Sequence, residues 1–302
     1  NADPLTGLPH DPASPARAAL IVKIDNAPKA RPQAGINDAD IVVEEGVEGG
    51  VTRFFTLFHS RDAVSVGPVR SARSTDLLFA QQLGRPLFAY SGANAVFAEQ
   101  VRKAPLVDVG VNRFPALYRR QPDRPSPYNL FSETRGLYAS APDDKTPPSP
   151  LFSYRAQGEA PPAAGSAPAP PRGVQAVWKL NITTTVVYVW DEPSQKFRRS
   201  TNGTPHVDAG GVQVAPDNVV FQVVGYRNTG LVDRSGAAVP EAELIGEGEA
   251  WVLTAGRLIK GQWSRPSEAQ TTTYSLPSGE PIKLTPGQTW LELVPLGNLS
   301  AL

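Results

Sequence analysis

Residues 40–58 read DIVVEEGVEGGVTRFFTLF, and the two apolar runs within them decide the fold. The first, at 40–45, has the length of a strand and ends on two carboxylates. The second, at 51–58, is apolar on both faces, as in a central strand covered on both sides, and a Gly-rich turn joins the two. Neighbouring side chains of a strand point to opposite faces, so Glu44 and Glu45 are expected on opposite sides of one sheet.

Working outward, residues 18–24 (AALIVKI) form a further strand. Ser74 opens STDLLFAQQLG, a helix with an N-cap residue, Asp76 in its first turn and Gly84 as its stop. A strand at 86–90 (PLFAY), a helix at 94–103 (NAVFAEQVRK) and a strand at 106–109 follow. Alternating strands and helices predict an α/β domain with a mixed sheet over residues 1–140. Residues 141–172 hold nine of the chain's 31 prolines, a composition that favours polyproline II and reads as an interdomain linker. Its apolar island at 151–154 is a candidate to dock on a neighbouring domain. Residues 173–302 change to β-branched and aromatic runs at 186–190, 212–214, 218–224, 250–254, 257–263 and 289–294. Asn202-Gly203, Ala255-Gly256 and Ser278-Gly279 are turn signals between them, and no helical period appears. The expectation is a mainly antiparallel β domain, barrel or sandwich, and an α+β molecule as a whole.

Composition excludes several classes. With 40% hydrophobic residues, five Trp, eight Tyr and eleven Phe among 302, the chain is globular. A net charge of zero gives no bulk-charge argument for nucleic acid. The absence of Cys removes disulfides, thiol catalysis and Cys-ligated metal centres. No run of about 18 apolar residues occurs, so no helix is expected to span a bilayer. The chain starts at Asn1 and lacks Met, which is expected of a processed product whose leader or lipid-bearing Cys lay upstream.

The neutral balance is a cancellation. Residues 1–50 hold four Lys/Arg and eight Asp/Glu, whereas residues 51–135 hold twelve and six. In the acidic arm, Glu45 and Glu48 with Asp25 are candidate catalytic acids and bases or hard-cation ligands, and Lys23 and Asn26 join them as candidates to orient a ligand. In the basic arm, Arg70, Ser71 and Arg73 directly precede a helix, where free N–H groups and guanidiniums could hold a carboxylate or phosphate. The plainer alternative is a capped helix whose arginines pair with Glu44, Glu45 or Glu48. Ser91 in AYSGA lacks the first Gly of a nucleophile elbow, and His10, His59 and His206 show no metal spacing. With no Walker loop and no G-x-G-x-x-G, neither cofactor nor metal is expected. All five Trp follow residue 172, placed either to stack on sugars or to fill a core. Asn181-Ile182-Thr183 is a glycosylation sequon by letter only.

Residues 22–54, VKIDNAPKARPQAGINDADIVVEEGVEGGVTRF, followed by VGPVRSAR and YSGAN, resemble the YerB-like family of bacterial lipoproteins, a family of unknown function. FRRSTNGTPHVD, NVVFQ, GQWSR and LTPGQTW extend the resemblance into the second domain. It implies a two-domain ectodomain tethered to the outer face of the cytoplasmic membrane by an N-terminal lipid. It marks Lys23, Asp25, Asn26, Arg31, Pro32, Gln33, Asp40, Glu45, Glu48, Thr52, Arg53, Gly67, Pro68, Arg70, Ser71 and Arg73. Tyr128 stands where the family pattern has His, which removes a histidine as proton carrier.

The functional expectation is an exported envelope protein, lipid-anchored or secreted, binding an anionic cell-wall component in a cleft of the first domain. Asp25, Glu45 and Glu48 would face Arg31, Arg53, Arg70 and Arg73, with Lys23, Asn26, Gln33, Thr52, Ser71 and Ser91 completing the site at the carboxyl ends of strands. A carboxylate-dependent hydrolase of an envelope polymer and a scaffold for envelope proteins are the alternatives.

Overall fold

The computed structural model describes residues 2–10, 16–141, 146–156, 158–160, 166–179, 182–233 and 236–302. Asn1, Asn181 of the sequon and residues 142–145, 157 and 161–165 of the linker lie outside them.

Strands β1 (Leu20–Asp25), β2 (Ile41–Gly46) and β3 (Thr52–Phe58) form the centre. β3 lies between the other two and is antiparallel to both. All seven of its residues are buried, as the doubly apolar run predicts. β1 pairs in parallel with β4 (Leu87–Ala89), which pairs in parallel with β5 (Val107–Asp108). Helices α1 (Ser74–Ala80) and α2 (Ala95–Lys103) supply the crossovers, and α3 (Thr134–Ala139) follows.

The sheet does not stop at β2. Its far edge pairs in parallel with strand Thr289–Pro295, which places Glu44 beside Glu292. Strands Asn218–Val224, Gly246–Thr254, Arg257–Arg265 and Thr273–Ser275 continue outward from there. Ser166–Pro168 also pairs with Arg257–Arg265, giving eleven strands in one mixed sheet. A second, five-stranded antiparallel sheet contains Val174–Lys179, Thr183–Asp191 and Lys196–Thr201. The fold is α+β, with a mixed sheet and antiparallel sheets, and the C-terminal part is layered sheet on sheet rather than a barrel.

Two cores lie on the two faces of the large sheet. One holds Ile21, Ile41, Val43, Phe55 and Leu57 under α1, α2 and Phe152. The other holds Leu20, Val22, Val42, Phe54 and Phe58 against Val174, Ala176, Trp178, Tyr188 and Phe197 of the five-stranded sheet. Burying each such side chain contributes about 1.5–3 kcal/mol, so both faces of β3 hold the halves of the chain together.

Several expectations are corrected. The stretch 212–214 forms only an isolated bridge, Val207 to Gln213. Trp178, Trp251, Trp263 and Trp290 are buried and fill cores, so they are not displayed for sugar stacking. The Pro-rich segment docks at its apolar island, as expected, with Leu151 and Phe152 buried and Ser153–Tyr154 paired with Lys283–Leu284, and it is further anchored where Ser166–Pro168 joins the large sheet. The turn signals behave as read: Asn202 and Ala255 take φ of 49° and 48°, followed by Gly203 and Gly256 at 78° and 71°.

Candidate functional site

The side-chain alternation of β1, β2 and β3 sorts the polar residues at this edge into two clusters on opposite faces. On one face, Lys23 of β1 is fully buried and its ammonium binds Glu45 of β2 and, at 2.6 Å, Asp76 of α1. Burial, with Glu45 adding its charge, pushes Asp76 up to about 7 despite Lys23. Asp25 forms an ion pair with Arg70 at 2.6 Å and accepts from the Ala27 N–H at 2.9 Å.

Above this floor lies a cleft of about 740 Å³. Arg53, Arg70, Arg73 and Arg120 line it, with Glu48 and Asp233 as the acids. Glu48 sits on a short 3₁₀ turn (Glu48–Gly50) whose Gly49 and Gly50 take φ of 76° and 79°. Both its oxygens engage Arg73, Nε donating at 2.9 Å, and Arg53 lies 3.5 Å away. Ser71 and Ser91 line the same cleft, as do Gly92 to Ala95 at the start of α2. Ser91 to Ala95 follow the carboxyl end of β4, and ligands sit at such strand ends in open α/β sheets. Arg70 stacks toward the Tyr128 ring at 5.9 Å, so an aromatic face occupies the place of the histidine.

The start of α1, expected to offer free N–H groups to an anion, is already occupied. The cap of α1 is Arg73, and Asp76 accepts from the Arg73 N–H at 2.7 Å, so the start of α1 is closed by its own carboxylate. Ser74, Thr75 and Asp76 are buried away from the cleft. It is α2, capped by Asn94, that opens into it.

On the opposite face, Glu44 binds Arg199 at 2.5 Å and accepts from Asn26 at 3.0 Å and Thr52 at 2.5 Å. Arg199 also donates to Glu292 at 2.8 Å, to the Tyr188 hydroxyl at 2.5 Å and to His206 Nδ1 at 3.0 Å. His206 Nε2 meets Gln33 Oε1 at 2.9 Å, and Gln33 donates in turn to Asn26 Oδ1 at 2.9 Å. Arg31 donates to Asn26 Oδ1 at 3.0 Å. Arg199, Glu44 and Glu292 are completely buried, and the guanidinium lies 4.6 Å from the Trp290 ring. Burial and the Glu44 charge push Glu292 well above the carboxylate range, while burial and Arg199 keep His206 neutral.

The structure therefore divides the expected site. Glu48, Arg53, Arg70, Ser71, Arg73 and Ser91 line the cleft. Lys23, Asp25 and Glu45 lie beside it as ion-paired floor. Asn26, Arg31, Gln33 and Thr52 belong to the buried network on the other face. Sequence reasoning missed Arg120, Asn94 and Asp233 in the cleft and Arg199, Tyr188, His206 and Glu292 in the network. The motif FRRSTNGTPHVD contains Arg199 and His206 and is the one signal that could have found them. Among the described residues, no group of three or more His, Cys, Asp or Glu could hold a metal ion.

Fold and cleft define a two-part α+β protein with a basic cleft at the strand ends of its N-terminal half. The chain belongs to the YerB-like family: residues 5–147 match the "Protein of unknown function (DUF3048) N-terminal domain" and residues 176–291 match its C-terminal domain. It is 26% identical over 299 residues to "Putative lipoprotein YerB" of Bacillus subtilis, covering 97% of this chain and 86% of that protein. The crystal structure of the YerB protein from Bacillus subtilis has the same fold, with a TM-score of 0.84 at 24% identity over 99% of both chains.

Proposed function

We propose that this is an exported protein, held by an N-terminal lipid at the outer face of the cytoplasmic membrane, that binds an anionic cell-wall component in the cleft. The lipoprotein description of its Bacillus subtilis relative supports the location. The observation that carries the binding reading is four arginines lining one cleft against two acids. Hydrolysis would need a carboxyl free to face the ligand, and Asp25, Glu45 and Glu48 are each ion-paired, which favours binding over cutting.

Isothermal titration of soluble cell-wall fragments tests this with Arg70→Ala, Arg73→Ala and Arg120→Ala. Arg120 is exposed and, among the described residues, its side chain bonds Asn129 at 2.7 Å, so its loss is expected to leave the fold intact. Each replacement is expected to weaken binding about tenfold, the worth of one charge-assisted hydrogen bond. Unchanged affinity in all three would sink the reading.

A further inference from the structure

The large sheet has a second block of parallel strands, away from β4 and the cleft. β2, Thr289–Pro295 and Asn218–Val224 run side by side in one direction. The carboxyl ends of adjacent parallel strands leave a crevice, because the chain turns away from each of them along a different path. Gly46 and Pro295, which end two of these strands, line a cavity of about 320 Å³, and Tyr226, just past the end of the third, lines it too. A two-stranded ribbon, Tyr226–Val232 with Ala238–Ala242, separates this cavity from the cleft. Side chains alternate along the ribbon: Val239 lines the cleft, whereas Ala238 and Pro240 line the cavity together with Asn228, the register partner of Pro240.

The chemistry of the cavity is unlike that of the cleft. Its walls are Trp178, Tyr226, Ala238, Pro240 and Pro295. The two aromatic rings are fixed from behind. The Trp178 indole N–H donates to Leu293 O at 3.0 Å, and the Tyr226 hydroxyl donates to the same carbonyl at 2.8 Å and accepts from the Gly46 N–H at 3.0 Å. Glycine at position 46 lets the rings close over the strand end, since a Cβ there would stand 2.9 Å from Trp178 Cδ1 and 3.5 Å from the Tyr226 ring. Rigid aromatic and proline rings thus make a preformed apolar socket.

The mouth is basic. Lys179, Arg227 and Asn228 stand there, and no Asp or Glu lines the cavity. Lys179 is exposed and has no ion-pair partner among the described residues. Arg227 pairs with Glu241 yet leaves 63% of its side chain exposed. Two exposed apolar side chains flank the socket. Leu296, 69% exposed, follows Pro295, and Ile182, 50% exposed, precedes Thr183, the register partner of Lys179. A small molecule filling the socket would leave both uncovered, whereas a polypeptide laid across the mouth covers them. We propose that this cavity docks an extended segment of another protein, with an aromatic residue in the socket and flanking Asp or Glu residues on Lys179 and Arg227. The site is separate from the cleft and does not rest on the anion reading.

Fluorescence anisotropy on the full chain with three short labelled peptides tests the proposal. The first carries a phenylalanine between aspartates, the second has serine in place of the phenylalanine, and the third has lysines in place of the aspartates. The variants are Ala238→Phe, which fills the socket from an exposed strand position, and Lys179→Glu, which reverses charge at the mouth. Both positions are exposed, so both variants should keep the wild-type melting temperature. The first peptide is expected to bind, and Ala238→Phe to weaken it about tenfold, as does loss of an anchor pocket. Lys179→Glu should weaken it about fivefold. Equal binding of the serine peptide, or binding that Ala238→Phe leaves unchanged, overturns the socket, and preference for the lysine peptide overturns the acidic partner. Self-association in sedimentation that Ala238→Phe abolishes makes the occupant a second copy, and free phenylacetate binding as tightly as the first peptide makes it a small acid. Either result overturns the proposal, as does silence from all three peptides.

Discussion

At the scale of single residues, each of the two charge clusters sets two buried carboxyls around one cation and pushes one of the carboxyls up. Asp76 and Glu45 divide one ammonium, Lys23, and Asp76 is pushed up to about 7. An unfolded Asp titrates near 3.9, so the folded state holds the extra proton between these values. This contribution to stability is therefore fully present below about pH 4 and is lost as pH rises through about 7. Asp76→Asn carries no such titration. The melting temperature of Asp76→Asn relative to wild type should become more favourable as pH rises from 5 to 8, and a pH-independent difference would show that Asp76 keeps an ordinary carboxylate pKa. Arg199 repeats the arrangement on the other face, one guanidinium serving Glu44 and Glu292 with all three completely buried. Arg199→Met keeps much of the volume but leaves the shared carboxylates without their cation. It should cost about 3–5 kcal/mol in urea unfolding, the range for breaking a buried ion pair from one side. A loss within 1 kcal/mol would mean that the carboxylates simply take up protons.

At the scale of elements, close packing between strands sets the tolerances. Strand Arg257–Arg265 pairs with Thr273–Ser275 through Gln262 to Ser264, and Gly261 lies at the end of that register. A Cβ on Gly261 would overlap the Ser275 carbonyl and stand 2.6 Å from Ile282 Cδ1. A backbone atom cannot swing aside as a side chain does, so Gly261→Ala should cost about 1–3 kcal/mol and raise hydrogen exchange in Thr273–Ser275. The elements legible in the sequence were those whose pattern is local. β1, β2, β3 and Asn218–Val224 are short, mostly apolar runs, and the positive-φ turns at Asn202-Gly203 and Ala255-Gly256 carry local turn signals. Tyr226–Val232 was missed because its residues, YRNTGLV, are mostly polar and half exposed, and a strand in a two-stranded ribbon needs no apolar face. The site was legible where a local pattern marks a residue, as with Glu48 in the Gly-rich turn and Arg73 directly before α1. It was illegible where tertiary pairing decides the partner: nothing local says that Ser74's helix is closed by Asp76 while Asn94's opens to a cleft.

At the scale of the molecule, two family matches meet one sheet. Residues 5–147 and 176–291 match as separate domains, yet β2 pairs with Thr289–Pro295 along Ile41 to Glu44. The chain's C-terminal end thus supplies the neighbour that covers an edge of the N-terminal part. Without it, β2 would expose a row of unpaired N–H and C=O groups, and Phe54 and Trp290, whose ring centroids lie 5.1 Å apart, would lose each other as packing partners. Glu44 would also lose Arg199. A fragment of residues 1–140 is therefore expected to lack a cooperative melt and to associate through β2, whereas the whole chain should melt in one transition with calorimetric and van't Hoff enthalpies in agreement. Two separated transitions, or a fragment that melts cooperatively as a monomer, would show that the shared sheet is a contact between independent units. The same test bears on the cleft, because Val232, Asp233 and Val239 bring the C-terminal part to its wall. If the halves melt as one, a ligand held between Arg73 and that wall must raise the single melting temperature of the whole chain by mass action.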